Sequence, residues 1–463
     1  MLLLAGLVAR AAGRLSRLLG RGGGTTLPGV ILLRLRPNAI VEYSDRLTHG
    51  SVLISATNGK TTTTRLVVAA AESLGLRVVT NAEGSNLERG IAAAFLHGPR
   101  QAHIAILEVD EAALPAVARA TRPHALVLMN LFRDQLDRYG ELDTIVDMWR
   151  DLLADRSAVD GDCIVVINAD DPNLGALGID HQAAGGVVRW FGIDDTSRAL
   201  PERAHAADAT NCRRCGASIS HDAVLVGHLG HWTCPNCGLT RPALDVAAAS
   251  IEMRDFGQQV AMTMTGDAAT VDSGELRGLH NTYNVAAAMA TASALPHFDS
   301  ATVADAVGRT GAAFGRGELI AAEGRWVDLL LAKNPTGVNQ NIRTLLTETG
   351  DPLHLLVLLN DRTADGQDVS WIWDVDWEPL DGRLSRLTLS GDRSGDLALR
   401  FRYGGFDMAD VHIEPDFVAA FNHALTATPD DAILHVLPTY TAMLDLRSEL
   451  TRRGHVDAYW DEP

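Results

Sequence analysis

Of the 40 basic side chains in this sequence only two are lysines, Lys60 and Lys333, and the other 38 are arginines. A lysine ammonium is a compact, strongly hydrated point charge, well suited to phosphate oxygens. Lys60 lies in "ISATNGKTTTT", after an apolar run and ahead of a helical pattern. Backbone N–H groups of such a loop, with the helix N-terminus behind it, bind phosphate oxygens, and the lysine reaches the β- and γ-phosphates. The hydroxyl of Thr61 is then placed for Mg²⁺. Thr57, Asn58, Gly59, Lys60, Thr61 and Thr62 are therefore the candidate phosphate cradle. It is an atypical P-loop, because the full pattern has a glycine where this chain has Ile54.

A carboxylate follows. Glu108 ends the run "AILEVDE", and an acid at the C-terminal edge of a parallel strand lies on the ligand side, placed to hold Mg²⁺ directly or through water. Asp110 and Glu111 read more readily as solvated loop acids.

Four of the five cysteines form two pairs, Cys212/Cys215 and Cys234/Cys237, with 18 residues between the pairs. Each CxxC presents two thiolates to one ion, so together they predict a closed tetrahedral, structural zinc site. His221, His228 and His231 lie between the pairs and read as bystanders, and Cys163 reads as an inert thiol in a strand. Thiolate ligands must stay reduced, which predicts a cytoplasmic setting.

These residues need a scaffold. At 463 residues, 46% hydrophobic and 21% charged, the chain predicts a globular protein of more than one domain. A net charge of −18 argues against nucleic acid as a partner. From about residue 50, apolar runs ("SVLISA", "RVVTN", "HIAILEVD", "HALVLMNLF", "DCIVVINADD") alternate with helical stretches, which predicts βαβ units and a mainly parallel sheet. "QQVAMTMTG" reads as an antiparallel strand, and Ser300 as the cap of a helix. After "GRGELIAAEGR" the alternation restarts, predicting a second α/β domain. The expected divisions are a lead-in over 1–45, a central domain over 46–316 with the cysteine-rich insertion at about 205–242, and a C-terminal domain over 317–463.

The N-terminal run is broken by Arg10, with no basic segment before it and no small-residue cleavage site, so it is expected to be neither signal peptide nor membrane span. An arginine-bearing amphipathic helix ending at the "GRGGG" hinge is expected instead. It would pack on the protein body or touch a membrane surface.

"TNGKTT", "EVDE", "NLFRDQLDRYG", "NADDP" and "HNTYN" occur here in an order that resembles the Mur ligases, ATP-dependent enzymes that join amino acids to a cell-wall precursor through an acyl phosphate. "LAKNPTG", "LNDRTADGQDVSWIWDVDWE" and "PTYTAML" resemble the MurT family of Mur-ligase-like subunits of lipid II isoglutaminyl synthase, as does the Cys₄ ribbon. The resemblance implies a Mur-ligase-like P-loop domain with the ribbon inserted, followed by a smaller Rossmann-like α/β domain. It implies amidation of the D-glutamate α-carboxylate of lipid II, with ammonia from a glutaminase subunit, GatD.

Residue by residue, the resemblance assigns Asn281 and Asn284 to the adenine and Arg316 to the nucleotide phosphates. Lys333 stands where the amino-acid-adding enzymes have a histidine near the phosphates. Asp368 would complete the catalytic group of the glutaminase, with Asp361 and Asp365 as alternatives. Three departures stand out. Gln135 replaces the histidine of a "DHLD"-type run, no lysine between Lys60 and Lys333 offers a carbamate, and Ala56 replaces a glycine of the loop. Two other readings are a stand-alone amino-acid-adding or folylpolyglutamate-type ligase and a zinc-bearing, ATP-binding scaffold.

Overall fold

Short, mostly apolar runs build the centre of the protein. The structure, a computed structural model, describes all residues except 1, 19–25, 82–84, 135–141, 202–206, 255–256, 312–314, 349–351 and 457–463. Gln135 and the "GRGGG" hinge lie outside the described residues.

Strands β1 (Ser51–Ser55), β2 (Val78–Val79), β3 (Ile104–Glu108), β4 (Ala125–Leu128), β5 (Ile164–Asn168) and β6 (Val187–Ile193) alternate with helices. β1, β3 and β4 are buried at every residue, as strands covered on both faces must be. β7 (Ser220–Val226) and β8 (Leu229–Thr233) form a separate hairpin, and β9 (Val246–Arg254), β10 (Gly257–Met264) and β11 (Asp267–Ser273) return to the main sheet. Its nine strands run in the order β11-β10-β9-β6-β5-β4-β1-β3-β2. β9, β10 and β11 pair antiparallel and the other pairings are parallel. The "RVVTN" strand is shorter than its pattern suggests, only Val78–Val79.

A second sheet of six strands follows: β12 (Arg316–Ala322), β13 (Arg325–Leu330), β14 (Leu353–Leu358), β15 (Leu384–Ser390), β16 (Val411–Ile413) and β17 (Ile433–Pro438). Their order is β12-β13-β17-β14-β15-β16, parallel except for β12 against β13. Each large sheet has one apolar core on each face.

Order within the first sheet fixes where a ligand can go. β1 lies between β3 and β4, so the chain leaves it to opposite sides in successive crossovers. A crevice opens beyond the C-terminal ends of strands at such a reversal. Ile54 pairs with Glu108 and Ser55 with Leu128, so the P-loop, Glu108 and the segment after β4 emerge level with one another.

Two motifs serve the scaffold. In "NADDP", Asp171 caps helix Pro172–Ala183 through the N–H groups of Asn173 and Leu174, and its other oxygen accepts Leu131 N at 3.0 Å. Asp170 accepts Ile193 N and the Tyr283 hydroxyl. Helix Ser300–Gly308 is capped by Asp299, which accepts Thr302 N at 2.9 Å, and not by Ser300. Both residues are cap formers, and the register by one residue is set by which side chain precedes the first helical turn.

Helix Leu2–Leu18 packs on the body, with Leu2, Ala5 and Ala9 buried and Arg10 donating to Leu96 O at 2.9 Å. Its other face exposes Leu4 (64%), Leu7 (59%) and Val8 (53%). No helix among the described residues is long and apolar enough to cross a membrane.

Candidate active site

The loop after β1 turns on Gly59, whose φ of +89° belongs to the left-handed region. A Cβ there would sit 2.2 Å from Asn284 Oδ1, so glycine is required for both conformation and space. Asn58 N donates to Asn130 Oδ1 and Asn130 Nδ2 returns a bond to Asn58 O, each at 2.9 Å. Thr57 Oγ1 accepts Phe132 N at 3.0 Å. The segment after β4 therefore holds the cradle from below.

Lys60 opens helix Lys60–Ser73 and is buried. Its ammonium donates to Ala56 O and lies 2.9 Å from Glu111 Oε2. Burial alone would push this ammonium down, but Glu111, then Glu108, outweigh it and hold the pKa above the ordinary lysine value. Lys60 thus stays charged. Its carboxylate partner, Glu111, is an acid the sequence left as a loop residue. Glu108 is also buried, with one oxygen accepting Asn86 Nδ2 at 3.3 Å.

Helix Leu279–Ala292 closes one side. Asn284 accepts the Thr63 hydroxyl at 3.3 Å and donates to Asn281 Oδ1 at 2.8 Å. His280 also lines this side, and its Nδ1 is buried without a hydrogen-bond partner among the described residues. Its pKa falls to about 4, lowered first by burial and then by Arg277 and Arg316, so the ring is neutral at pH 7.

The second sheet closes the top. Lys333, after β13, lies 2.5 Å from Asp134 Oδ2 with 30% of its side chain exposed, and Asp134 Oδ1 is buried without a partner among the described residues. Asn334 and Asn58 form a reciprocal amide pair across the two sheets, at 2.9 and 3.3 Å. Arg277 reaches Asp328 at 2.5 Å, and His435 holds the other oxygen of that carboxylate. Asn334 and Asp134 both lie inside quoted motifs, but no spacing signal in the sequence brings them to partners so distant along the chain.

Between these walls lies a cavity of about 560 Å³. Thr57, Asn58, Gly59, Lys60, Thr61, Thr62, Glu108, Asn281, Asn284, Arg316 and Lys333 all line it. Asp368 does not. It is exposed, with its carboxylate accepting Ser370 N at 2.8 Å, and the Ser370 hydrogen bonds hold its pKa below the usual range. Asp361 pairs with Arg393 at 3.0 Å, and Asp365 is buried against Thr441, with burial pushing its pKa up. Thr363 and Ala364 of the same loop do line the cavity.

The ligand atoms of Cys212, Cys215, Cys234 and Cys237 lie within 4.8 Å of one another. Two sulfur pairs stand 3.6 and 3.5 Å apart. A tetrahedral ion with ~2.3 Å bonds to sulfur spaces its ligands by about 3.8 Å, so the cluster fits a metal ion. No histidine joins it among the described residues: His221 turns to His228 O and His231 to Ile193 O. Burial pushes the Cys163 thiol up to about 12.

Residues 54–225 match the Mur ligase middle domain, and residues 331–443 match the MurT ligase C-terminal domain. The MurT subunit of lipid II isoglutaminyl synthase (glutamine-hydrolyzing) from Streptococcus pneumoniae is 30% identical over 447 residues, covering 95% of this chain and 94% of that one. The chain belongs to the MurT family. A second member, from Staphylococcus aureus, is 27% identical over 96% of this chain and 97% of its own length. The fold also matches a pseudomurein peptide ligase type C from Methanothermus fervidus, with a TM-score of 0.67 at 19% identity over 89% of this chain and 80% of that one. A folylpolyglutamate synthase from Mycobacterium tuberculosis, complexed with ADP and AMPPCP, gives 0.62 at 16% over 90% and 96%. The Mur-ligase-like α/β fold, and the cysteine cluster within it, are those expected from the sequence.

Proposed function

We propose that this chain is the ATP-dependent ligase subunit of a lipid II isoglutaminyl synthase in peptidoglycan synthesis. One observation carries the reading: a single cavity at the strand reversal gathers two lysines, a P-loop and a buried carboxylate, yet holds no nucleophilic cysteine. The site is built to spend a triphosphate, and its nitrogen donor must arrive from elsewhere.

A carboxylate is a poor electrophile. The α-carboxylate oxygen of D-glutamate in the lipid II stem peptide attacks the γ-phosphorus of ATP, and ADP leaves. Ammonia attacks the acyl carbon, phosphate departs, and loss of a proton leaves the amide of D-isoglutamine. Lys60 and Lys333 offset the charge that spreads over the transferring phosphoryl oxygens. Thr61 and Glu108 would hold Mg²⁺, which neutralises further phosphate charge when bound. By the family resemblance, Asn281 and Asn284 would contact the adenine and Arg316 the phosphates. The four cysteines would hold structural Zn²⁺.

Ammonia at neutral pH is mostly ammonium, so a glutaminase partner, GatD, releases it next to this chain. Asp368, exposed and held by Ser370, would orient a histidine of that partner. Only four positions separate it from Ala364 in the cavity wall, which supports one loop serving both sites.

A lipid-borne substrate supports a peripheral setting at the cytoplasmic face of a membrane. Residues 1–41 carry six arginines and no acid, within a chain of net charge −18. With Leu4, Leu7 and Val8 turned outward, that end suits an anionic lipid surface. Co-sedimentation with anionic but not zwitterionic vesicles is the expected result.

The deciding experiment supplies lipid II and Mg-ATP with either ammonium or glutamine, with and without the glutaminase, and weighs the product by mass spectrometry. Amidation from ammonium alone, and from glutamine only with the partner, is expected. An added amino acid would favour a stand-alone ligase, and ATP binding without an amide a scaffold.

A further inference from the structure

The cysteine cluster sits at one end of the β7–β8 hairpin, and the cavity lies at the other. Cys215 precedes β7 by a few residues and Cys234 follows β8 directly. Seven residues of β7 span roughly 20 Å at ~3.3 Å each, so the two ends are well separated. At the near end Trp232 packs with Cys212 and Cys234, and its indole N–H donates to Ala169 O at 2.9 Å. A Cβ on Gly175 would lie 2.5 Å from that ring, so the hairpin base is seated tightly on helix Pro172–Ala183.

At the far end a two-residue turn, Gly227–His228, joins the strands, with Gly227 at φ +61°. A Cβ on Gly227 would stand 2.9 Å from Phe132 and 3.4 Å from Thr336. The turn is therefore held between the segment after β4 and the first turn of helix Pro335–Glu348. The His228 ring lies 4.7 Å from Phe132, and the backbone of Phe132 bonds Thr57 of the P-loop. Arg343, from that second helix, donates to Leu225 O at 2.6 Å and to Arg198 O. Val226 and Leu229, on either side of the turn, line the cavity itself.

We infer that the metal-clamped hairpin is a wall of the nucleotide pocket, with Val226 and Leu229 as positioning residues for the nucleotide. Four thiolates on one ion fix the base, and a stiff two-stranded lever carries that constraint to the tip. The tip supplies apolar surface, supports Thr57 through Phe132 and meets the second sheet through Thr336 and Arg343. Metal occupancy at the base thus sets nucleotide affinity at the tip. The inference rests on the cavity being the nucleotide site.

The full chain is titrated with Mg-ATP by calorimetry, with metal content and circular dichroism measured on each sample. V226A/L229A should keep its metal and its fold, yet raise the Kd for Mg-ATP about tenfold, the usual scale for methylenes removed from a binding pocket. Metal removal by a chelator, at a temperature where the dichroism still reports the folded chain, should weaken Mg-ATP by a similar factor. An unchanged Kd in V226A/L229A, or in the folded metal-free chain, overturns the inference. Failure of the unaltered chain to bind Mg-ATP would instead overturn the assignment of the pocket.

Discussion

The two lysines mark two regions of one cavity that are built differently. Around Lys60 several groups are already committed: the ammonium to Glu111 and Ala56 O, the Asn58 backbone to Asn130, and the Gly59 backbone against Asn284. Around Lys333 the fit is looser, with one carboxylate partner and a part-exposed side chain. The first region is a preorganised cradle, and preorganised charge needs no rearrangement during reaction. The second belongs to a separate sheet and meets the first through a few polar contacts. On the proposed function, the P-loop side would hold the triphosphate and Lys333 would complete the charge around the phosphoryl group.

The largest effect is expected from Lys60→Ala, which should lower kcat/KM by about 10³ or more together with loss of ATP binding. Retained tight binding would remove the cradle from the comparison. Asp368→Asn, at an exposed residue outside the cavity lining, should reduce glutamine-dependent amidation by roughly 10³ while ammonium-dependent amidation stays near the unaltered rate. Equal losses from both donors would move this aspartate into the ligase site or the fold.

Lys333→Ala should cost about 10² in single-turnover rate with the Kd for ATP little changed. A parallel loss of affinity would make the two regions alike. Asn334→Ala, which removes both amide bonds to the Asn58 side chain, should lower the rate about tenfold, near the net worth of a pair of part-buried hydrogen bonds. The smallest effect concerns His280. Its folded pKa of about 4 lies below the ordinary 6.5, so only the unfolded chain takes up this proton between those values. Stability therefore declines as pH falls through that window, and His280→Asn should flatten that part of a plot of unfolding midpoint against pH. An identical slope would show that the ring is not held neutral.

Much of the first sheet was legible in the sequence, because strands covered on both faces must be apolar throughout and the turns between them carry glycine and polar residues. The loop residues 57–62 that line the cavity were legible because they are contiguous. The contacts across the cavity were not. Glu111, Asp134 and Asn334 acquire partners only when separate segments fold together, and neither composition nor periodicity encodes a distance between sheets. His280 was hidden too, since its neighbours Arg277 and Arg316 come from different elements. The displaced cap at Asp299 shows the smaller error, in which adjacent residues of equal propensity compete.

The paired amides of Asn58 and Asn334 have one more implication. Dissolved electrolyte weakens a partly exposed ion pair such as Lys333 with Asp134, whereas a contact between neutral amides is nearly indifferent to it. Raising ionic strength should therefore loosen only one of these two fasteners, leaving the sheets tethered at the P-loop while the ammonium of Lys333 is released toward whatever anion occupies the space below.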